Sequence, residues 1–301
     1  MRVRRLAVSV DTDGPEQYRA IYGLPPRAGA ARGFSAAWIP RARELAERHG
    51  LALSVFLIAD QLEEPETLRG LGALLEAGHA IECHTRTHPY HLTRLTPAEL
   101  DQEIAVAFDL IERALGARPR GFRAPGYLLS EDVLDAVERA GARFDSSVLA
   151  CPPYYLAKLT AVAALALVGR SSASRLDDPR VLGAPRRPYR PGRSPYAVGE
   201  RALVELPIGL ATSLGIPLLG TLLGRLGPAL GRGLARLALQ EPLVHASFHA
   251  IDFVDREEAP ADLRRLPELR VPLANQIGAS DAFRAPVRGG VNPARHTRHD
   301  G

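Results

Sequence analysis

Ala80-Ile81-Glu82-Cys83-His84-Thr85-Arg86-Thr87-His88 is the stretch whose reading decides the fold. Ala80 to Cys83 is a short, mainly apolar run of strand length, and two histidines four positions apart follow it directly. If the chain turns helically there, both imidazoles face one way. Neutral imidazole is the commonest protein ligand for a divalent metal. With 9 histidines in 301 residues such a pair also arises by chance, so a surface or capping role stands beside the ligand role until the flanking segments are read.

Outward from this stretch the same unit recurs. Leu6 to Val10 is an apolar run that enters Asp11-Thr12-Asp13-Gly14-Pro15. In an extended chain residues i and i+2 share a side, so both carboxylates can point to one place. A Gly/Pro-rich loop over 23–33 precedes a helix from about Ala36 to His49, which Gly50 stops. Ala52 to Ala59 is a second buried strand, ending at Asp60, and Pro65 to Ala77 a helix closed by Gly78. Thr96-Pro97-Ala98-Glu99 supplies an N-cap, a first-position proline and a first-turn acid for a helix to about Leu115. Gly121 to Tyr127 is a short strand into a turn. Ser130-Glu131-Asp132 caps a helix to Ala140, and Arg143-Phe144-Asp145-Ser146-Ser147 is another short strand. Polar side chains therefore sit at one strand end after another: Asp11 and Asp13, Asp60, His84, Arg123, Asp145. That placement predicts an α/β protein of the (β/α) barrel type, with its site at the C-terminal ends of the strands.

From Cys151 the rhythm breaks. Leu156 to Val168 is an almost wholly apolar helical run, and the Arg/Pro-rich residues 170–199 read as a long excursion, so an insert is expected over about 151–200. Ala202 to Pro207 returns to strand character. Leu206 to Gly224 carries no charge over 19 residues, but Pro207, Pro217 and several glycines predict loop and short helices rather than a membrane span. Leu243 to Asp252 is the last strand and holds His245 and His249. One barrel domain is expected over 1–255, followed by a Pro-rich, charged tail over 256–301. Beyond about Ala279 that tail has the composition of a disordered segment.

Composition excludes several classes. A formal net charge of +4 with 46% hydrophobic and 24% charged residues belongs to an ordinary globular chain. Lys158 is the sole lysine; the other basic residues are scattered arginines, and aromatics are few, which leaves no footprint for nucleic acid. Cys83 and Cys151 cannot build a disulfide framework. The basic residues 1–5 lead into an apolar run too short for a signal-peptide core, so a cytoplasmic location is expected.

Asp13, His84 and His88 together form a two-histidine, one-carboxylate set that would leave positions open on a divalent ion. Zinc suits it, as do other first-row ions. Asp11 is placed to take a proton from activated water. Arg123 either holds Asp11 ionised or binds an anionic substrate group. His249 or His245 can protonate a leaving group. Asp145 is a partner of His249 or Arg123, or a strand-end cap with Ser146 and Ser147. Tyr154 and Tyr155 stack on a sugar or anchor the insert. Cys83 faces away from the site, and His79 and His91 read as surface groups.

These residues resemble the polysaccharide deacetylases of the NodB-homology, carbohydrate esterase family 4 type, whose motifs come in a fixed order. The acidic first motif is similar to Val10-Asp11-Thr12-Asp13-Gly14, which implies Asp11 as base and Asp13 as metal ligand. The histidine motif is similar to His84 to His88, with both histidines as ligands. The Arg-x-Pro-Gly motif is similar to Arg123-Ala124-Pro125-Gly126-Tyr127. There the resemblance implies that Arg123 orients the base and that the backbone of Gly126 and Tyr127 helps form an oxyanion hole. Phe144 to Ser147 resembles the fourth motif, and His249 the final histidine, the implied general acid. The resemblance spans Leu6 to Ser147 and, more loosely, Leu203 to Asp252. It implies a distorted, incomplete (β/α) barrel, a seven-stranded variant of the TIM barrel. It also implies a metal-dependent enzyme, zinc foremost, that removes an N-acetyl (or N-formyl) group from an amino sugar. Thr12 between the two aspartates is similar to the branch holding intracellular deacetylases and amide hydrolases, including deformylases of lipid-linked sugars. The implied partner is an amino-sugar glycan or glycolipid. The apolar insert would cover the barrel, form an interface between copies, lie on a membrane, or line a groove for a lipid-linked glycan. The alternatives are hydrolysis of another non-peptide carbon–nitrogen bond, such as a cyclic amide, or glycan binding without turnover.

Overall fold

The computed structural model describes residues 5–27, 33–211, 215–238 and 243–275. Seven strands build one parallel sheet: β1 (Arg5–Asp11), β2 (Leu53–Leu57), β3 (Ala80–Cys83), β4 (Gly121–Phe122), β5 (Phe144–Asp145), β6 (Val204–Glu205) and β7 (Leu243–His249). Their order is β6-β5-β4-β3-β2-β1-β7. The helices are α1 (Pro15–Ile21), α2 (Phe34–His49), α3 (Pro65–Glu76), α4 (Pro97–Leu115), α5 (Glu131–Arg139), α6 (Pro152–Leu167) and α7 (Gly220–Ala238). This is the expected incomplete barrel: a curled half-barrel whose edge strands, β6 and β7, do not pair with each other.

The local reasons are those the sequence offers. Every residue of β2 and β3 is buried, the condition that makes a parallel strand read as a continuous apolar run. Thr96 and Glu99 close a reciprocal capping box at the start of α4, with Pro97 at its first position and Gly116 (φ 69°) at its end. Apolar faces of α2 (Trp38, Ile39, Leu45), α3 (Leu71, Leu74) and α4 (Leu100, Ile104, Phe108, Ile111) cover the sheet in a single core. The short α1, with Pro15 at its first position, was not expected.

Register gathers the strand ends. Asp11 lies beside Phe56 on one flank and His249 on the other. Cys83 pairs with Phe122, so His84 and Arg123 leave the sheet side by side, and Phe122 pairs in turn with Asp145.

The uncharged run after Leu206 has a structural explanation. It threads the gap between the two sheet edges: Leu206 N–H donates to Asp145 O (2.8 Å), Ile208 to Val148 O (2.9 Å), Gly209 to His245 O (2.9 Å), and Ser247 to Leu218 O (2.9 Å). A Cβ on Gly209 would come within 2.4 Å of His245 O, so the close approach requires glycine there. Beyond it lies α7, which Gly227 (φ 73°), just before Pro228, breaks into two shorter helices. Among the described residues no helix is long and apolar enough to cross a membrane.

The insert opens with α6, which buries none of its residues fully. Leu156 and Leu167 are 60% and 89% exposed. Residues 170–199 form the expected excursion, with a single 3-10 turn at Pro179–Gly183. The expected boundary at 255 is not where packing ends, because Ala259, Leu263, Leu266 and Leu269 are buried in the main core. The segment beyond Ala279, part of the loop over 23–33 and the first four residues lie outside the described residues.

Candidate active site

Asp13 follows β1, and its carboxylate meets both histidines that follow β3. His88 Nε2 is 2.9 Å from Asp13 Oδ1, and His84 Nε2 is 3.3 Å from Asp13 Oδ2. All three side chains are buried and their ligand atoms lie within 4.8 Å of one another. His84 Nδ1 sits 2.7 Å from Arg123 O, which makes Nδ1 the N–H and turns the Nε2 lone pair towards Asp13. Both ring nitrogens of His88 are buried; Nδ1 has no hydrogen-bond partner, and Nε2 meets only the Asp13 carboxylate. Two imidazole nitrogens thus converge on a carboxylate with His88 left unsatisfied, and a divalent ion fits that set better than a hydrogen-bond network does. Burial alone would raise the Asp13 carboxyl; the facing imidazoles, His88 foremost, hold it well below the usual carboxylate range.

The backbone at the site is strained. Thr85 (φ 64°), His88 (φ 65°) and Tyr127 (φ 65°) are the non-glycine residues with left-handed backbone among those described, and all three border the site. Each such residue costs about 1–3 kcal/mol and persists only where its surroundings dictate it. Here Glu103 of α4 does so: its carboxylate accepts Thr87 N–H (2.9 Å) and Thr87 O–H (2.8 Å), and its carbonyl accepts Arg86 N–H (2.8 Å). His88 N–H then reaches Thr85 Oγ1 at 3.0 Å. A charged residue mid-helix gives no sequence signal for such a clamp.

Asp11 is held from below. Arg123, wholly buried, donates to Asp11 Oδ1. It spends its other donors on Ser146 O (2.8 Å), Ser9 Oγ (2.9 Å), Ser247 Oγ (3.1 Å), Ser146 Oγ (3.0 Å) and His245 Nε2 (3.2 Å). Its guanidinium also lies 4.0 Å over the Phe56 ring. Of the two roles open to Arg123, the geometry selects orientation of Asp11, because no donor is left for a substrate. His245 belongs to this buried network, and burial followed by the Arg123 charge holds its imidazole down to about 3. His249 is the histidine at the site: partly exposed, with Nε2 3.9 Å from Asp11 Oδ2. Asp252, missed in the sequence, accepts its backbone N–H at 2.9 Å.

These groups open on a cavity of about 70 Å3, enough for a few water molecules or a small acyl group. Asp11, Asp13, His84, Gly126 and His249 line it, as do Tyr90, Tyr127, Tyr154, Lys158 and Ser174. Two expectations need correction, and one of the readings of Asp145 is selected. Tyr127 N–H donates to Ala124 O (3.0 Å) and closes the turn, so its amide is spent there, although the residue lines the cavity. Asp145 lies beneath the site. It accepts Ser147 O–H (2.7 Å), and Ser147 Oγ accepts Ala124 N–H (2.8 Å), so of the roles read for Asp145 the geometry selects the strand-end cap, which steadies the turn and does not touch substrate. His79 is buried, not superficial, and its Nδ1 accepts Leu53 N–H at 3.1 Å. Cys83 packs in the core and His91 is exposed, as expected, and Asp60, at the end of its strand, pairs with Arg86 at 3.0 Å.

Residues 31–144 match the family model described as Polysaccharide deacetylase. The resemblance is to the polysaccharide deacetylases. The matched span holds His84, His88, Arg123 and the Gly126–Tyr127 turn, whereas Asp11, Asp13 and His249 lie outside it and join the site through the fold. A chitooligosaccharide deacetylase of Bradyrhizobium sp. (strain ANU 289) is 34% identical over 104 residues, 34% of this chain and 46% of that protein. A peptidoglycan deacetylase-like protein of Gibberella zeae is 33% identical over 76 residues, 25% of this chain and 22% of that protein. The chain thus spans under half the length of either relative. A solved structure from Mycobacterium smegmatis, assigned to the polysaccharide deacetylases, superposes with a TM-score of 0.54 at 15% identity, over 96% of this chain and 93% of that one. That likeness shows the shared fold.

Proposed function

We propose that this protein is a divalent-metal-dependent hydrolase that removes an N-acetyl (or N-formyl) group from an amino sugar. One observation carries the reading: Asp13, His84 and His88 converge beside an Asp11 that Arg123 holds, on one cavity sized for an acyl group. The activities named for the two curated relatives, on chitooligosaccharide and peptidoglycan, support a glycan amide as the substrate.

Asp13, His84 and His88 would hold the ion. Bound there, a divalent metal supplies Lewis-acid polarisation of the amide carbonyl and makes water a stronger acid. The chain's own groups do the rest. Asp11, fixed by Arg123 and unable to swing away, accepts the proton of the attacking water. The Gly126 amide, on the turn that Ser147 and Asp145 steady, faces the oxyanion position. His249 Nε2, on the opposite flank of Asp11, gives a proton to the departing amine, for which a partly solvated imidazole is suited.

The test is to incubate metal-loaded protein with N-acetyl and N-formyl amino sugars, free and lipid-linked, and to follow acetate or formate by mass. Release should require metal and fall by about 10²–10⁴-fold in Asp11→Asn, the usual share of a general base. Absence of release from every sugar, or an undiminished rate in Asp11→Asn, refutes the proposal. A glycan-binding protein without turnover would keep its affinity and release nothing.

A further inference from the structure

Lys158 is the only lysine of the chain, and the fold brings it to the wall of the candidate active site. It projects from the half-buried side of α6 and donates to Gly126 O at 2.9 Å. An ammonium has three donors, and this carbonyl takes one. Among the described residues no carboxylate lies within ion-pairing distance of Nζ; Asp177 acts on it from farther off. The surroundings are apolar enough that burial holds the Lys158 amine down to about 8.

A second observation points the same way. The hydroxyls of Tyr90 and Tyr127, on side chains that are 8% and 7% exposed, are buried without a hydrogen-bond partner, and both residues line the same cavity. Tyr90 and Lys158 flank Gly126 together: a Cβ built on Gly126 would stand 3.4 Å from the Tyr90 ring and 3.7 Å from Lys158 Nζ. A partly desolvated cation without a counter-ion, beside unsatisfied phenols, carries an uncompensated desolvation cost that an incoming oxyanion would relieve.

We infer that Lys158, with the Tyr90 and Tyr127 hydroxyls, is an oxyanion subsite, and that the substrate is an amino sugar bearing a carboxylate or phosphate near its N-acyl group. The inference rests on the deacetylase reading for the sugar. Its anion chemistry stands on Lys158 and the two unsatisfied hydroxyls, independently of turnover.

The test compares binding of N-acetylglucosamine, its 1- and 6-phosphates and N-acetylglucosaminuronic acid to the full chain, by calorimetry in the Asp11→Asn background. An acid-bearing sugar should bind about tenfold tighter than the neutral one, the value of one charge-assisted hydrogen bond. Lys158→Gln should erase that preference, and Lys158→Arg restore part of it. The phosphate and uronate arms identify which oxyanion the subsite takes. Because Lys158 is the sole lysine, its labelling by an amine-reactive reagent can be read by mass in the unmutated protein. An acidic sugar should slow that labelling and the neutral sugar should not. Equal affinity for neutral and acidic sugars, or labelling unaffected by any of them, overturns the inference. If neutral N-acetyl sugars are hydrolysed without acid preference, the subsite falls and the deacetylase reading stands. If acidic sugars bind through Lys158 but no sugar is ever hydrolysed, the reverse holds.

Discussion

Replacing Arg123 with methionine removes a guanidinium of 0% exposure while keeping most of its apolar volume. Asp11 is left behind, 1% exposed, with its charge unpaired. Breaking one side of a buried ion pair costs about 3–5 kcal/mol, mainly because the surviving charge is stranded away from water. The serine hydroxyls at positions 9, 146 and 247 and the neutral His245 can re-pair among themselves: Ser9 Oγ is already 3.0 Å from His245 Nε2, and Ser146 O–H donates to Leu206 O at 2.8 Å. Their loss therefore adds little. The cost should sit almost wholly on Asp11, and neutralising Asp11 should recover it. The assay is urea unfolding with chelator present, for the parent, Arg123→Met, Asp11→Asn and the double variant, with free energies from linear extrapolation. The single Arg123→Met variant should lose about 3–5 kcal/mol, and the double should lie within about 2 kcal/mol of Asp11→Asn alone, a coupling typical of residues in direct contact. A loss under about 1 kcal/mol, or a double variant whose cost is the sum of the singles, would refute the view that Arg123 serves to pair with and orient Asp11.

Three further outcomes follow from the geometry. Asp13→Ala, His84→Ala or His88→Ala should each lower zinc affinity by more than the roughly 10–100-fold typical of residues that merely support a ligand; unchanged metal content after dialysis against a competing chelator would remove the residue from the ligand set. Burial pushes the Asp177 carboxyl up to about 6 from 3.8, so the folded protein keeps a proton that the unfolded chain releases between those values. Its stabilising contribution is complete below pH 3.8 and lost as pH rises to 6. Asp177→Asn should accordingly gain on the parent across that window and hold its gain above it, and a difference that stays flat from pH 3 to about 7 sinks the assignment. Gly126→Ala places a side chain at φ +61° against Tyr90, at a cost of about 1 kcal/mol or more; turnover should fall far more than thermal stability, and an unaltered rate would remove this turn from the site.

Much of the fold was legible because a parallel strand covered on both faces must be apolar throughout and can change character only at its ends. Val10 to Asp13 and Cys83 to His88 announce both the strand and the site for that reason. Supports that act from elsewhere were not legible. Glu103 looks like any exposed helical acid, yet it pins the strained Thr85–His88 loop. His79, between Gly78 and Ala80, has no neighbour in sequence to betray that it caps the start of β2. Leu263, Leu266 and Leu269 recur every three residues in a Pro- and charge-rich setting, and composition outweighed spacing in suggesting a tail there.

The uncharged Leu206–Leu219 run shows the sharper difficulty. Lack of charge says that a segment is out of water, not what removes it from water. A lipid, a second copy and the chain's own sheet edges all satisfy that condition; the structure supplies the sheet edges, through Gly209 on His245 and Leu218 on Ser247. The same ambiguity hid Lys158. One lysine among 38 basic residues is visible in composition, but its meaning depends on where α6 docks, and α6 is apolar on every face, so no periodicity marks the side that turns inward. The contact of its Nζ with Gly126 O, on the turn that follows Arg123, ties the insert to the chemistry beside Tyr154 and Ser174 on the cavity wall. On the proposed reading the insert is therefore the part of the chain through which substrate choice can change while Asp11, Asp13, His84, His88 and Arg123 stay as they are.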